Sequence, residues 1–126
     1  MLVEDDRVQR FIFESLARIY IGQEISFEVK SFEEPLSAMN YFKTLNQNGY
    51  PDVIIMDVHL PVMNGIRLVK EMSDLMKKEK FPKTYFFTTD TENMFYSNSD
   101  VKDLEVPYRY YHKADIIKLL NELKLA

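Results

Sequence analysis

A run of four apolar residues that ends on a carboxylate constrains the fold of this chain more than any other feature. The run covers residues 53–56 (VIIM), follows a Pro-Asp pair, and ends at Asp57. An unbroken apolar run of this length is typical of a strand that is covered on both faces, as in a parallel sheet. Open α/β sheets place their chemistry at the carboxyl ends of strands, so Asp57 is a candidate functional residue. The alternative is an ordinary strand followed by a solvated Asp.

Composition narrows the class of protein. The chain has 126 residues, 46% of them hydrophobic and 29% charged, which predicts one folded domain over residues 1–126. No apolar run is long enough for a bilayer and no signal peptide is visible, so no membrane association is expected. The chain has no Cys, which excludes disulfides and is compatible with a cytoplasmic location. The net charge of −4, without a basic stripe, argues against direct nucleic-acid binding.

Hydrophobic periodicity predicts five strands alternating with five helices. The predicted strands are residues 1–3, 25–30, 53–56, 84–88 and 108–112. Strict alternation in 25–30 is typical of a strand with one wet face, near a sheet edge. The alternation of strands and helices predicts one parallel sheet with right-handed crossovers.

Helix signals are of uneven strength. The first helix has one apolar stripe, the face that a helix usually turns to the core. Its members are Val8, Phe11, Ile12, Ser15, Leu16 and Ile19. Pro35 begins the second helix, and Asp115 is a candidate N-cap for the last. Residues 91–104 are ambiguous, because their apolar spacing favours a helix that the polar residues 97–100 could interrupt.

Carboxylates follow two of the predicted strands. Glu4, Asp5 and Asp6 come after the first strand, and Asp57 ends the third. If the strand order is 2-1-3-4-5, these two strands are neighbours and their carboxylates converge. Clustered acids repel one another, and a hard divalent cation with oxygen ligands is the usual remedy. For residues 4–6 alone, the alternative is a set of acids that stabilises a helix N-terminus.

Four short motifs lie on the predicted elements in a definite order. They are Leu2-Val3-Glu4-Asp5-Asp6, Asp57-x-x-Leu60-Pro61-x-x-x-Gly65, Phe87-Thr88 and Tyr110-x-x-Lys113. Each motif is weak alone, but their order makes the combination specific, and together they resemble the receiver domain of bacterial two-component response regulators, in a chemotaxis-regulator-like form, over essentially the whole chain. The resemblance implies a flavodoxin-like (βα)5 three-layer sandwich with a parallel five-stranded sheet of order 2-1-3-4-5.

The resemblance also implies a functional site. Asp57 would be the phosphoacceptor, and Mg²⁺ would be the cofactor, with Asp5 rather than Asp6 as the direct ligand. Thr88 and Tyr110 would switch when the phosphoryl group is present. The implied residues are Glu4, Asp5, Asp57 and the His59 backbone carbonyl for the metal, Thr88, Tyr110 and Lys113 for phosphoryl binding and switching, and His59 and Asp90 beside the path of the hydrolytic water.

The implied activity is signalling rather than conventional enzymology. The domain would catalyse only its own phosphotransfer and dephosphorylation. Its partners would be a sensor histidine kinase or a phosphotransfer protein, and a downstream protein bound at the face formed by helix 4, strand 5 and helix 5. Two alternatives remain: a receiver-like interaction module that is not phosphorylated, and an enzyme or flavin protein on the same fold. The chain has only three glycines and no Gly-rich phosphate loop, which weakens the second alternative.

Two departures from the family pattern affect the site. Thr89 stands where receivers mostly carry a smaller residue, and Lys113 is followed by Ala114 instead of Pro. A cis bond before a non-proline residue costs roughly 2.5–4 kcal/mol, so the Lys113–Ala114 bond is predicted to be trans. The long lysine stem is expected to absorb the change and still bring the amine to Asp57.

Overall fold

The computed structural model describes residues 1–22, 26–46 and 49–125. Five strands form one parallel sheet of order β2-β1-β3-β4-β5, as the sequence predicts. The strands are β1 (Leu2–Val3), β2 (Ser31–Phe32), β3 (Val53–Met56), β4 (Lys83–Thr88) and β5 (Tyr108–His112). The helices are α1 (Arg7–Tyr20), α2 (Pro35–Thr44), α3 (Gly65–Ser73), α4 (Glu92–Ser97) and α5 (Ile116–Leu125). Short 3₁₀ turns lie at Lys78–Lys80, Ser99–Asp103 and Lys113–Asp115.

Two hydrophobic clusters cover the two faces of the sheet. One packs α2, α3 and α4 on one face, through large buried side chains such as Phe42, Met72 and Phe95. The other packs α1 and α5 on the opposite face, around Phe13, Leu119 and Leu120. The central strand β3 contributes to both clusters, which is why its sequence is apolar without alternation. The result is the predicted three-layer, flavodoxin-like sandwich.

The position of the second strand was predicted wrongly. Residues 26–30 are not a strand, and Ile25, which the prediction also included, lies outside the described residues. The strand β2 is instead Ser31–Phe32, although it does lie at the sheet edge. Among the described residues, β2 pairs with β1 alone, and β1 supplies just two residues for pairing, so β2 is equally short.

The orientation of α1 also differs from the prediction. Of the predicted core stripe, Val8, Phe11, Ile12 and Ile19 are exposed, and only Leu16 packs partly against the core. The helix turns Phe13 and Ala17 to the sheet instead. Because α1 has apolar residues on two faces, periodicity alone does not reveal which of them is buried.

The ambiguous segment 91–104 adopts the interrupted form. The helix α4 ends at Ser97, Asn98 is its C-cap, and a 3₁₀ turn follows over Ser99–Asp103. The Asn98 side chain accepts a hydrogen bond from the Asp100 N–H, which explains why the polar residues break the helix. In the part of the chain that the structure describes, no helix is long and apolar enough to cross a membrane.

Candidate functional site

The carboxylates after β1 and β3 meet at the carboxyl ends of these two neighbouring strands, as predicted. The two strands pair with Leu2 beside Ile55, so Glu4 and Asp57 follow them side by side. The Asp57 N–H donates to the carbonyl of Val3 at 2.9 Å, which fixes this register at the strand ends. Glu4 and Asp57 are only 3% and 5% exposed, and carboxylates are seldom buried to this extent unless they are paired.

Three carboxylates offer oxygen atoms to a common point. One oxygen each from Glu4, Asp5 and Asp57 lies within 4.8 Å of the others, and Asp5 is exposed to solvent. Hard divalent cations bind such oxygen ligands, and the exposed side leaves room for water or a phosphoryl oxygen, so the residues fit the implied cation. Burial, reinforced by the contact with Asp57, raises the pKa of Glu4. Partial burial and the neighbouring Glu4 raise the pKa of Asp5.

Asp6 lies apart from this cluster. Its side chain is the N-cap of α1 and accepts hydrogen bonds from the N–H groups of Val8, at 2.8 Å, and Gln9, at 3.1 Å. The structure therefore separates the two alternatives for the acidic triplet: Asp6 caps the helix, while Glu4 and Asp5 face Asp57.

Lys113 reaches the acidic cluster from the end of β5. Its amine donates to Glu4 and lies 3.4 Å from the Asp57 Oδ2. Burial alone would lower the pKa of this amine, but the two carboxylates outweigh burial and raise it. The Lys113–Ala114 bond is trans, since the described residues contain no cis peptide bond. Both geometric predictions for Lys113 are confirmed.

The turn after Lys113 begins differently from the sequence-based expectation. Asp115 was the candidate cap, but His112 Nδ1 accepts a hydrogen bond from the Ala114 N–H at 3.0 Å. This contact starts the 3₁₀ turn that leads into α5. His112 and Ala114, the two neighbours of Lys113, therefore form a local cap of their own.

The loop between β3 and α3 is tightly packed against the acceptor. A Cβ on Gly65 would lie 1.9 Å from the carbonyl oxygen of Asp57, so no other residue fits there without moving the backbone. Val62 lies at the tip of the loop with φ 73° and a fully exposed side chain. A β-branched residue rarely adopts this left-handed conformation, and strain of this kind is concentrated near functional sites.

Asp90 connects the remaining site residues predicted from the sequence. Its carboxylate lies 2.6 Å from His59 Nε2, and its N–H donates to the hydroxyl of the fully buried Thr88 at 3.1 Å. Its carbonyl accepts a hydrogen bond from the Tyr110 hydroxyl, and the Tyr110 ring packs 5.3 Å from that of Phe95 in α4. The loop after β4 thus contacts both the loop after β3 and Tyr110 in β5. The exposed Thr89 contributes its carbonyl to His112 instead.

Sequence reasoning missed two groups beside the site. The first is the pairing of His59 with Asp90, since nothing in a sequence shows that residues 31 positions apart touch. The second is Arg10, whose guanidinium binds the backbone of the acidic pair. The only sequence signal for Arg10 is a basic residue five positions after Asp5 on a predicted helix, which many surface helices share.

Magnesium is expected to raise the thermal stability of the wild type and of Asp6→Asn, but not of Asp5→Asn. A ligand that binds only the folded state adds about 2.7 kcal/mol at 100 times its Kd. Asp6→Asn is the matched control, because Asn also caps helices and Asp6 lies outside the cluster. Thermal unfolding with and without magnesium measures the effect. Loss of the gain in Asp6→Asn rather than Asp5→Asn would reverse the assignment of the ligand.

Comparison with known families gives a direct match. The family model of the response regulator receiver domain matches residues 1–99. No curated protein matches the chain.

Solved structures share the fold at low sequence identity. The phosphorylated cyanobacterial phytochrome response regulator RcpA is 21% identical, with a TM-score of 0.71 over 98% of this chain and 86% of its own. The Vibrio cholerae chemotaxis protein CheY4 is 23% identical, with a TM-score of 0.71 over 98% of this chain and 93% of its own. The Mn²⁺-bound response regulator Rcp1 is 21% identical, with a TM-score of 0.69 over 98% and 88%.

Proposed function

Because the chain belongs to the family of response regulator receiver domains, we propose that Asp57 accepts a phosphoryl group in two-component signal transduction. The donor is a sensor histidine kinase or a phosphotransfer protein, and phosphorylation changes a protein-binding face. The observation that carries this proposal is the meeting of Asp57 with Glu4, Asp5 and Lys113 from three different strands of the sheet. An ordinary solvated Asp at a strand end would have no such surroundings.

The residue types suit phosphoryl transfer to a carboxylate. An oxygen of Asp57 forms a bond to phosphorus while the bond to the donor nitrogen breaks, so one anion approaches another. Glu4, Asp5, Asp57 and the carbonyl of His59 would hold a Mg²⁺ ion, which would supply positive charge to the phosphoryl oxygens. The Lys113 amine, 3.4 Å from Asp57, provides a second positive charge for an oxygen on the other side.

The loop around Asp90 is the proposed route from chemistry to a switch. The Thr88 hydroxyl turns to the phosphoryl group, and this movement breaks its bond to the Asp90 N–H. The same loop holds the Tyr110 hydroxyl, so Tyr110 and α4 respond together. The target-binding face then consists of α4, β5 and α5. His59 and Asp90 follow Asp57 and Thr88 by two residues each and contact one another, and this pair limits the approach of hydrolytic water.

The proposed function includes the extent, the location and the partners of the domain. The receiver domain extends over residues 1–126, is cytoplasmic, and acts through protein partners rather than through direct contact with nucleic acid or membrane. The alternative of a module that is not phosphorylated draws its main support from the Ala that follows Lys113 in place of Pro. That support is weak, because the Lys113–Ala114 bond is trans and the Lys113 amine still contacts Glu4 and Asp57.

The test is labelling with a small phosphodonor such as acetyl phosphate. The intact protein is incubated with the donor in magnesium or in a chelator, and its mass is measured before peptide mapping. We expect one phosphoryl group, only in magnesium, on the peptide that contains Asp57. Labelling of a different residue, or labelling that a chelator leaves unchanged, would contradict the proposal.

A further inference from the structure

Arg10 lies behind the acidic pair, on the second turn of α1. Its Nη1 donates to the backbone carbonyls of Glu4, at 2.7 Å, and Asp5, at 3.0 Å. Its Nη2 pairs with the Glu33 carboxylate at 3.2 Å. The Arg10 side chain is only 16% exposed, in contrast to 63% for that of Glu33. This largely buried arginine therefore makes two hydrogen bonds to the main chain of Glu4 and Asp5, the residues whose carboxylates belong to the site.

The connection that Arg10 binds is otherwise held mainly at its two ends and through the Glu4 side chain, which contacts Lys113 and accepts a hydrogen bond from the Asp6 N–H. Residues 4–6 link β1 to α1, and the Asp6 end is held by its helix cap. Strand pairing ends at Val3, after which the Glu4 N–H makes one further bond to the Phe32 carbonyl. The orientation of the exposed Asp5 then depends on the peptide groups on either side of it. The two N–H groups of Nη1 have fixed directions in the guanidinium plane and can hold both of those carbonyls at once, whereas the N–H groups of a lysine amine rotate freely.

We propose that Arg10 is a positioning residue for the cation site: it fixes the backbone of Glu4 and Asp5 so that their carboxylates face Asp57. This inference rests on the proposed function, because it presumes that these carboxylates bind a divalent cation. It concerns the main chain and assigns Arg10 no contact with the ion. The ion pair with the exposed Glu33 carboxylate lies on the solvent side of the guanidinium and is not required for this role.

Charge alone and a positioning role predict opposite changes in cation affinity when Arg10 is removed, so an experiment can decide between them. A guanidinium close to a cation site repels the cation, so its removal should tighten binding if charge alone matters. A positioning role predicts weaker binding after the same removal. Residues that orient metal ligands typically change metal affinity by about 10–100-fold when they are mutated. The sign of the change therefore distinguishes the two roles.

The experiment measures magnesium affinity by calorimetry or by NMR titration of the full chain, without phosphodonor. The variants are Arg10→Met, Arg10→Lys, Arg7→Met and Glu33→Gln. Arg7→Met is the matched control, since it removes the same charge from an exposed position on the same helix. We expect Arg10→Met to bind about 10-fold more weakly, Arg10→Lys to lie between it and the wild type, and Arg7→Met and Glu33→Gln to stay within about 2-fold.

A second readout separates positioning from general destabilisation. Without metal, the amide shifts of Glu4 and Asp5 should move in Arg10→Met while those of the α5 residues stay in place. If Arg10→Met does not fold, Arg10→Lys carries the same comparison. Binding by a folded Arg10 variant that equals or exceeds that of the wild type would overturn the inference. A wild-type protein that binds no divalent cation would instead overturn the proposed metal site itself.

Discussion

Asp57→Asn is expected to abolish labelling by a small phosphodonor in magnesium. The amide is a poor nucleophile and is a weaker ligand for a divalent cation, so both parts of the proposed chemistry are lost. Asp52→Asn is the matched control, because Asp52 precedes the same strand β3 at its opposite end. Intact mass after incubation should show one phosphoryl group on the wild type and on Asp52→Asn, and none on Asp57→Asn.

The comparison also tests whether the acceptor is specific. The chain has 20 acidic residues, and among the lysines in ion pairs of the described residues, Lys113 beside Asp57 is the least exposed, at 12%. Equal labelling of Asp57→Asn and the wild type would mean that the acceptor lies elsewhere, and the receiver assignment of Asp57 would then be wrong.

Lys113→Met is expected to tighten magnesium binding and to slow phosphoryl transfer to Asp57. The amine contacts Glu4 and Asp57, the carboxylates that are proposed to hold Mg²⁺, so it competes with the cation for negative charge. Its removal should therefore tighten magnesium binding. The same removal takes away a positive charge from the transferring phosphoryl group, and the loss of one such donor typically slows a reaction by about 10²–10³-fold.

The control for this pair of measurements is Lys118→Met, an exposed lysine on α5. It removes the same charge at a distance from the cluster and should leave both quantities near those of the wild type. Magnesium titration and initial labelling rates are the measurements. A Lys113→Met protein that labels as fast as the wild type would show that the amine takes no part in the transfer.

The parts of the fold that the sequence predicts well are those with a single interpretation. The apolar run of β3 predicts a strand covered on both faces, and the alternation of strands and helices leads to the correct parallel sheet. The helix α1 shows the limit of this reasoning, because Val8 and Phe13 belong to different apolar faces and only packing selects between them. The strand β2 shows another limit, since its length depends on pairing with the short β1.

The functional site also has a part that the sequence predicts and a part that only the folded structure reveals. Residues directly after strands, such as Glu4 and Asp57, are placed together by topology, and the sequence predicts their meeting once the strand order is known. Contacts between loops and helices depend on side-chain directions that no spacing encodes. The contact of His59 with Asp90 and the hydrogen bonds from Arg10 to two carbonyls belong to this second kind.

The central claim is that phosphorylation of Asp57 changes a protein-binding face. NMR of the wild type with beryllofluoride as a phosphoryl mimic tests this claim most directly. A ligand shifts a conformational equilibrium only through contacts that differ between the two states. Binding of the mimic with magnesium should therefore perturb Thr88, residues 91–104 and Tyr110 together, along with the surroundings of Asp57. Perturbation confined to the residues around Asp57 would contradict the account, because the domain would then accept a phosphoryl group without switching.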